Sequence, residues 1–332
     1  MRKLVSRKVL IPLGILVAVL VVLSLLRIPK VVLPEISIPA EPVFSLFGFK
    51  VTNTLLSTWL TMLILIVGSW LITRKMRAVP RRLQSALEMI VESLLGLVEG
   101  AAGKKWARRF LPIVATIFLF LLLSNWLGLT PLFGGWGVLH ESHEEGKGVP
   151  VVWNDAHTVG TIVREGSVAE AQGSYILAPM FRSAATDMNT TLALALISVA
   201  LTQYFGLKAL GIPYLGKFFA VGRLVKAFTR KGQGCMGRIG NLGMGFIDMF
   251  VGVIETISEI GKIISFSFRL FGNIMAGEVL LGVLGFLIPY LVSLPFYGLE
   301  LFVGFVQALV FMMLSVAFFV TAISSHGGEE AH

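Results

Sequence analysis

The run DMFVGVIETISEIGKIISFSFRLFGNIMAGE, residues 248–278, decides how this chain folds. It is apolar over a longer distance than a soluble core helix needs, and Arg269 stands inside it. A fixed cation at mid-membrane costs roughly 2.5–3.5 kcal/mol on insertion scales, so such a residue is kept for work on ions or protons. Arginine holds its charge where a desolvated lysine could shed a proton, which makes position 269 a permanent cation and not a proton carrier. At about 100° per residue, Asp248, Glu255, Glu259, Lys262 and Arg269 fall within an arc of roughly 80°. This polar stripe is about 32 Å long at 1.5 Å per residue. Lipid would not tolerate it, so it faces water or protein. Glu278 lies about 180° around the helix from Arg269 and about 13 Å beyond it, on another face.

The surrounding composition agrees with a membrane setting. The 332 residues are 55% apolar and 14% charged, with a mean hydropathy of +0.83, whereas soluble domains carry roughly 25% charged residues. Apolar segments at 9–26, 52–72, 111–129, 187–207, 245–288 and 297–323 suit helices crossing the hydrocarbon core, which takes about 20 residues. They show no period-two alternation, which argues against a transmembrane barrel. The expected fold class is an all-α polytopic membrane protein: five core membrane helices plus an N-terminal extra span.

A net charge of +9 could suggest nucleic acid, but the positions of the 28 Lys and Arg residues give a plainer reason. They concentrate before the first span, between the second and third, and after the fourth, while the alternate loops hold only Arg27, Lys30, Lys50, Lys147, Arg164 and Arg182. That is the positive-inside pattern, with both termini cytoplasmic and six crossings. Residues 1–26 also have the form of a signal sequence, whose removal would leave five spans. Arg27-Ile28-Pro29-Lys30 follows the apolar core in place of a small-residue cleavage site, which favours a retained anchor. The lone Cys235 has no internal disulfide partner.

Residues 1–50 comprise this first span and a proline-rich outer linker with Pro29, Pro34, Pro39 and Pro42; the membrane domain follows over 51–325, with a tail at 326–332. After Pro80, the residues Leu83, Leu87, Ile90, Val91, Leu94 and Val98 recur at helical spacing opposite Glu88, Glu92 and Glu99. This predicts an amphipathic helix at the membrane interface or against partner helices. Residues 130–186 form a polar outer loop with some structure of its own. His140, His143 and His157 among its carboxylates match no standard metal spacing, and a solvated loop is the better reading. Residues 208–240 form a Gly-, Lys- and Arg-rich cytoplasmic loop. No internal repeat is seen, which argues against a repeat-built transporter.

Within the stripe, Glu255 or Glu259 can pair with Lys262 as structural glue. Arg269 has no acidic residue at i±3 or i±4, so its counter-charge must come from another helix or another chain. The last helix adds Glu300 and Gln307, seven residues apart and nearly aligned. One cation between two separate polar routes suits proton transfer in two half-paths: the arginine blocks direct passage, and a partner's carboxylate carries each proton around it. Arg269 would favour the ionised form of that carboxylate as it passes.

The residues Arg269-Leu270-Phe271-Gly272-Asn273-Ile274-Met275-Ala276-Gly277-Glu278 closely resemble the signature of subunit a of the F-type ATP synthase. The resemblance extends through Glu255, Ser258 and Lys262 upstream and Gln307 in Val306-Gln307-Ala308-Leu309-Val310-Phe311 downstream. Ser124-Asn125-Trp126-Leu127-Gly128-Leu129-Thr130-Pro131 and Ala185-Thr186-Asp187-Met188-Asn189-Thr190-Thr191-Leu192 agree as well, so that roughly 52–325 is covered. It implies a stator gripping a ring of c subunits, with a long tilted helix hairpin at 245–288 and 297–323 against the ring. It further implies peripheral-stalk b subunits and the remaining synthase subunits as partners, no cofactor or metal, and a bacterial plasma membrane location. Arg269 corresponds to the essential arginine. Glu278 and Gln307 match the outer half-channel, with Asn125, Asp187 and Asn189 near its entry; Glu255, Ser258 and Lys262 match the inner one. Asn273 lies within the signature, and Glu300 stands where some members carry histidine.

No GxxxxGK[ST] phosphate loop and no triad-like cluster is present, so ATP chemistry would be done elsewhere in the complex. A stand-alone ion-coupled transporter would also account for buried charge. A membrane enzyme or metalloprotein using the loop histidines is the third class.

Overall fold

The computed structural model describes residues 39–46, 48–74, 76, 82–130, 137–141, 149–153, 160–162, 172–218, 235–287 and 293–324. The first expected span, His143, His157 and residues 219–234 lie outside them. A short hairpin, β1 (Pro42–Leu46) and β2 (Phe49–Thr52), leads into α1 (Asn53–Thr73) and α2 (Arg82–Gly128). Strands β3 (Gly137–Glu141), β4 (Val149–Trp153), β5 (Gly160–Ile162) and β6 (Gln172–Pro179) follow, then α3 (Met188–Leu210), α4 (Cys235–Leu287) and α5 (Ser293–Ser324).

Burial along α1 is the reverse of a soluble helix. Asn53, Thr54, Ser57 and Thr61 are buried, while Trp59, Leu63, Ile66, Trp70 and Leu71 are exposed. The inward hydroxyls bond within the helix: Ser57 Oγ donates to the Asn53 carbonyl at 3.1 Å and Thr61 Oγ1 to that of Ser57 at 2.8 Å. Small polar residues inside and large apolar ones outside suit a hydrocarbon solvent, where close helix approach replaces hydrophobic burial. Among the described residues, four helical stretches are long and apolar enough to cross a membrane: Asn53–Thr73, Gln84–Gly128, Met188–Leu210 and Ser293–Ser324. The chain is an all-α polytopic membrane protein; among the described residues its strands are confined to the hairpin ahead of α1 and the segment between α2 and α3. The latter forms an antiparallel sheet of order β3-β6-β4-β5.

Two compact units are present. The first draws on Met1–Val67, Phe120–Asp187 and Gly272–Gln307. In it the end of the sheet segment is tied to α1: Asn53 Nδ2 donates to the Pro179 carbonyl at 3.2 Å, and the Arg182 backbone N–H to Ser57 Oγ at 3.0 Å. Thr54 Oγ1 donates to Asp187 Oδ2 at 2.8 Å. Gly128 lies so close to Ser183 that a Cβ would fall 2.8 Å from the serine Cβ.

The second unit draws on Gly68–Leu119, Met188–Phe271 and Ala308–His332. Its core is an aromatic trio, Phe110, Phe205 and Phe319, with ring centroids 4.8–5.2 Å apart. Phe266 meets Phe311 and Phe318 beside it. Hydroxyls bridge helices at close approach, Ser198 to Ser315 at 2.8 Å and Thr191 to Ser267 at 3.1 Å. At Gly103 the backbone adopts φ 70°, ψ 159° and breaks α2 into an amphipathic part and an apolar part. That φ is open to glycine at no steric cost. Of the stripe residues whose burial is described, Leu94 and Val98 are fully buried, while Ile90 and Val91 stay exposed.

Candidate functional site

In the first unit, a cavity of about 470 Å³ opens beside α4 and α5. It has room for several waters, each of which takes about 30 Å³ in the liquid. Arg182, Glu278, Glu300 and Asn125 supply its main polar lining. Arg182 is 6% exposed, and its Nε donates to both carboxylate oxygens of Glu278, at 2.9 and 3.1 Å. Its Nη2 reaches Met275 Sδ at 3.1 Å. Glu300 is buried, and its carboxylate sits over Gly277 so closely that any side chain there would collide with it. Asn125 Nδ2 donates to the Gly304 carbonyl at 3.2 Å, while its buried Oδ1 has no protein donor. A buried acceptor without a protein donor is where a water would bond. Elsewhere in this unit Asn273 Nδ2 donates to Gln307 Oε1 at 2.9 Å, linking α4 to α5.

In the second unit, the acidic residues of the stripe are held by lysines. Lys262 Nζ pairs with Glu259 Oε1 at 2.7 Å, the i,i+3 link the spacing allowed. Lys217, on the short 3₁₀ turn Ile212–Lys217, bridges Glu255 Oε1 at 2.6 Å and Glu259 Oε1 at 3.4 Å. Burial pulls the Lys217 ammonium downward, but its hydrogen bond to Glu255 and that carboxylate's charge outweigh this and hold it above the ordinary lysine value. Burial raises the neighbouring Tyr214 phenol, against the pull of Lys217. Glu259 Oε2 is buried with no hydrogen-bond partner. Ser258 is exposed on α4, and Asn189 is exposed near the start of α3.

Arg269 stands apart from this network. It is exposed, and among the described residues it makes no hydrogen bond or ion pair. Ser258, Gly261 and Ser265 precede it on α4 and are exposed as well. The charged stripe therefore divides: Glu255, Glu259 and Lys262 bond with Lys217, while Arg269 is presented outward. The Asp248 side chain lies outside what is described.

Two residues at the heart of these clusters, Arg182 and Lys217, are absent from the candidates drawn from the sequence, where they count only as loop charges. Each carried a faint signal: Arg182 ends the apolar run Ile176–Phe181, and Lys217 sits between Tyr214-Leu215-Gly216 and Phe218-Phe219.

Such an arrangement defines a class, a polytopic helical membrane protein with ion pairs beside its helices and Arg269 presented outward, unpaired among the described residues. The profile of the family described as "ATP synthase A chain" matches residues 55–320. Among relatives, "ATP synthase subunit a" of Gloeobacter violaceus is 31% identical over 274 residues, covering 82% of this chain and 85% of that protein. "ATP synthase subunit a" of Moorella thermoacetica is 27% identical over 289 residues, covering 87% and 98%. This chain belongs to the ATP synthase A chain family.

Proposed function

We propose that this protein is the proton-conducting stator subunit of a bacterial F-type ATP synthase, non-catalytic itself, that grips a ring of c subunits beside peripheral-stalk b subunits. The observation that carries the reading is Arg269, a permanent cation that is exposed on an apolar helix and unpaired among the described residues. Exposure to lipid alone would be costly, so a carboxylate on a partner completes it. The small residues Ser258, Gly261 and Ser265 that lead up to it suit a partner helix approaching closely.

In this reading protons arrive through the Glu278 cavity, with Glu300 and Asn125 as its polar wall and Asp187 and Asn189 toward its entry. Asn273 and Gln307 form its neighbouring rung. They leave through Glu255, Ser258 and Lys262. Arg269 separates the two half-paths by repelling protons, and it favours the ionised form of each ring carboxylate that passes. The basic loops and both termini face the cytoplasm.

The test is Arg269→Ala and Arg269→Lys in the assembled complex. Alanine abolishes ATP-driven pumping and leaves a passive leak; lysine also fails, because it lacks the guanidinium fork and can deprotonate when desolvated. Coupled ATP synthesis persisting in the alanine variant would refute the role. Solute uptake driven by an ion gradient in vesicles of the purified chain would favour a stand-alone transporter instead.

A further inference from the structure

The turn that carries Lys217 is built for fixed placement. The helix before it ends at Gly211, whose φ of 70° turns the chain and whose N–H donates to the Leu207 carbonyl at 2.8 Å. Tyr214 then packs into a notch at Gly206, where a Cβ would collide with its ring, and its hydroxyl donates to Gln203 Oε1 at 2.8 Å. On the other side, the Phe218 carbonyl rests against Gly252 of α4, 2.6 Å from where a Cβ would stand. Gly252 lies one turn before Glu255. Anchored at both ends, the turn delivers a single ammonium to two carboxylates that are themselves one helical turn apart.

From this geometry we infer that Lys217 is a positioning residue of the proton route in the second unit, the countercharge that holds Glu255 and Glu259 in place and ready to release a proton. The inference rests on the proposed role of Glu255 and Lys262. Among the described residues, the charged and titratable groups facing Lys217 are Tyr214 on its own turn and Glu255 and Glu259 on α4. Lys262 holds Glu259 as well, and α3 offers only the neutral Gln203 through Tyr214. Four charges thus balance, and removing Lys217 leaves two carboxylates sharing one ammonium. Such a pair keeps a proton more readily than the intact cluster does.

The experiment uses inside-out vesicles carrying the complex with its catalytic sector stripped, and follows passive proton conduction against the pH of the outer medium. Rates are normalised to the amount of this subunit in each membrane. In Lys217→Ala the half-maximal pH moves up by about one unit, and conduction falls about ten-fold at a pH below both midpoints, the change one unit implies there. Lys217→Arg stays within about two-fold of the parent, since arginine keeps the charge. Lys217→Gln, which keeps most of the stem, behaves as alanine does and serves if the alanine variant does not accumulate. A normalised Lys217→Ala or Lys217→Gln profile that superimposes on the parent overturns the inference, as does equal loss in the arginine and neutral variants. Glu255→Gln separates the two layers. If it abolishes conduction while the neutral Lys217 variants do not change it, only the Lys217 role fails; if Glu255→Gln is also without effect, the proposed route itself fails.

Discussion

Arg182 and Glu278 are paired but unequally buried, and that inequality sets the cost of removing each. Arg182 is 6% exposed and Glu278 is 40% exposed. Glu278→Gln takes the paired carboxylate from a buried guanidinium that cannot lose its proton, and breaking a buried pair in this way costs about 3–5 kcal/mol, lowered to about 2–4 by access to the cavity. Arg182→Gln strands a carboxylate that can meet water or take up a proton, so about 1–2 kcal/mol is expected. The double variant leaves two neutral amides able to bond each other, and its cost falls below the sum of the singles by about 2 kcal/mol. The assay is reversible denaturant unfolding of the purified subunit in mild detergent, followed by tryptophan fluorescence, across the full double-mutant cycle. Additivity to within about 0.5 kcal/mol would mean that the two groups do not interact. An Arg182→Gln cost above that of Glu278→Gln would refute the burial argument.

Two glycines give further tests. Gly252→Ala drives a Cβ against the Phe218 carbonyl, a backbone atom with little room to yield, and should destabilise by about 1–3 kcal/mol while reproducing part of the Lys217→Ala conduction shift; the same vesicle assay and unfolding series read both. Gly103→Ala forces a side chain to φ 70°, ψ 159°, a region held almost only by glycine, at a cost of about 1–3 kcal/mol, and Gly103→Asn gains no relief because asparagine tolerates positive φ only at a much smaller ψ; an unchanged unfolding midpoint in the alanine variant would count against the kink as a strained junction.

Four membrane helices were legible because hydrocarbon imposes one simple demand, a long apolar run. Helical spacing also found the Glu259–Lys262 link, since partners on one helix are fixed by the helix itself. It could not find Lys217 or Arg182. Lys217 is 38 residues before Glu255, and Arg182 is 96 before Glu278; such pairings depend on how a turn packs on a helix, which no local period encodes. The sheet between α2 and α3 escaped for a related reason: segments of three to eight residues set in a polar stretch are too brief for a period to stand out from a loop. Arg269 was conspicuous from sequence alone because its lack of a local partner is itself a spacing statement.

The contact of Gly128 with Ser183 has a practical side. The polypeptide departs from the helical part of the first unit after Gly128 and returns at Ser183, nearly the same point, so the intervening sheet behaves as cargo spliced into a port whose ends already touch. Chain closure there asks little entropy of whatever is inserted, because the distance to be spanned does not grow with the length of the insert. An affinity handle or fluorescent module exchanged for the strands should therefore leave the helices undisturbed, provided the splice ends before Pro179, whose carbonyl receives Asn53, and spares Arg182. An insert at this port leaves alone the residues proposed above for the proton route.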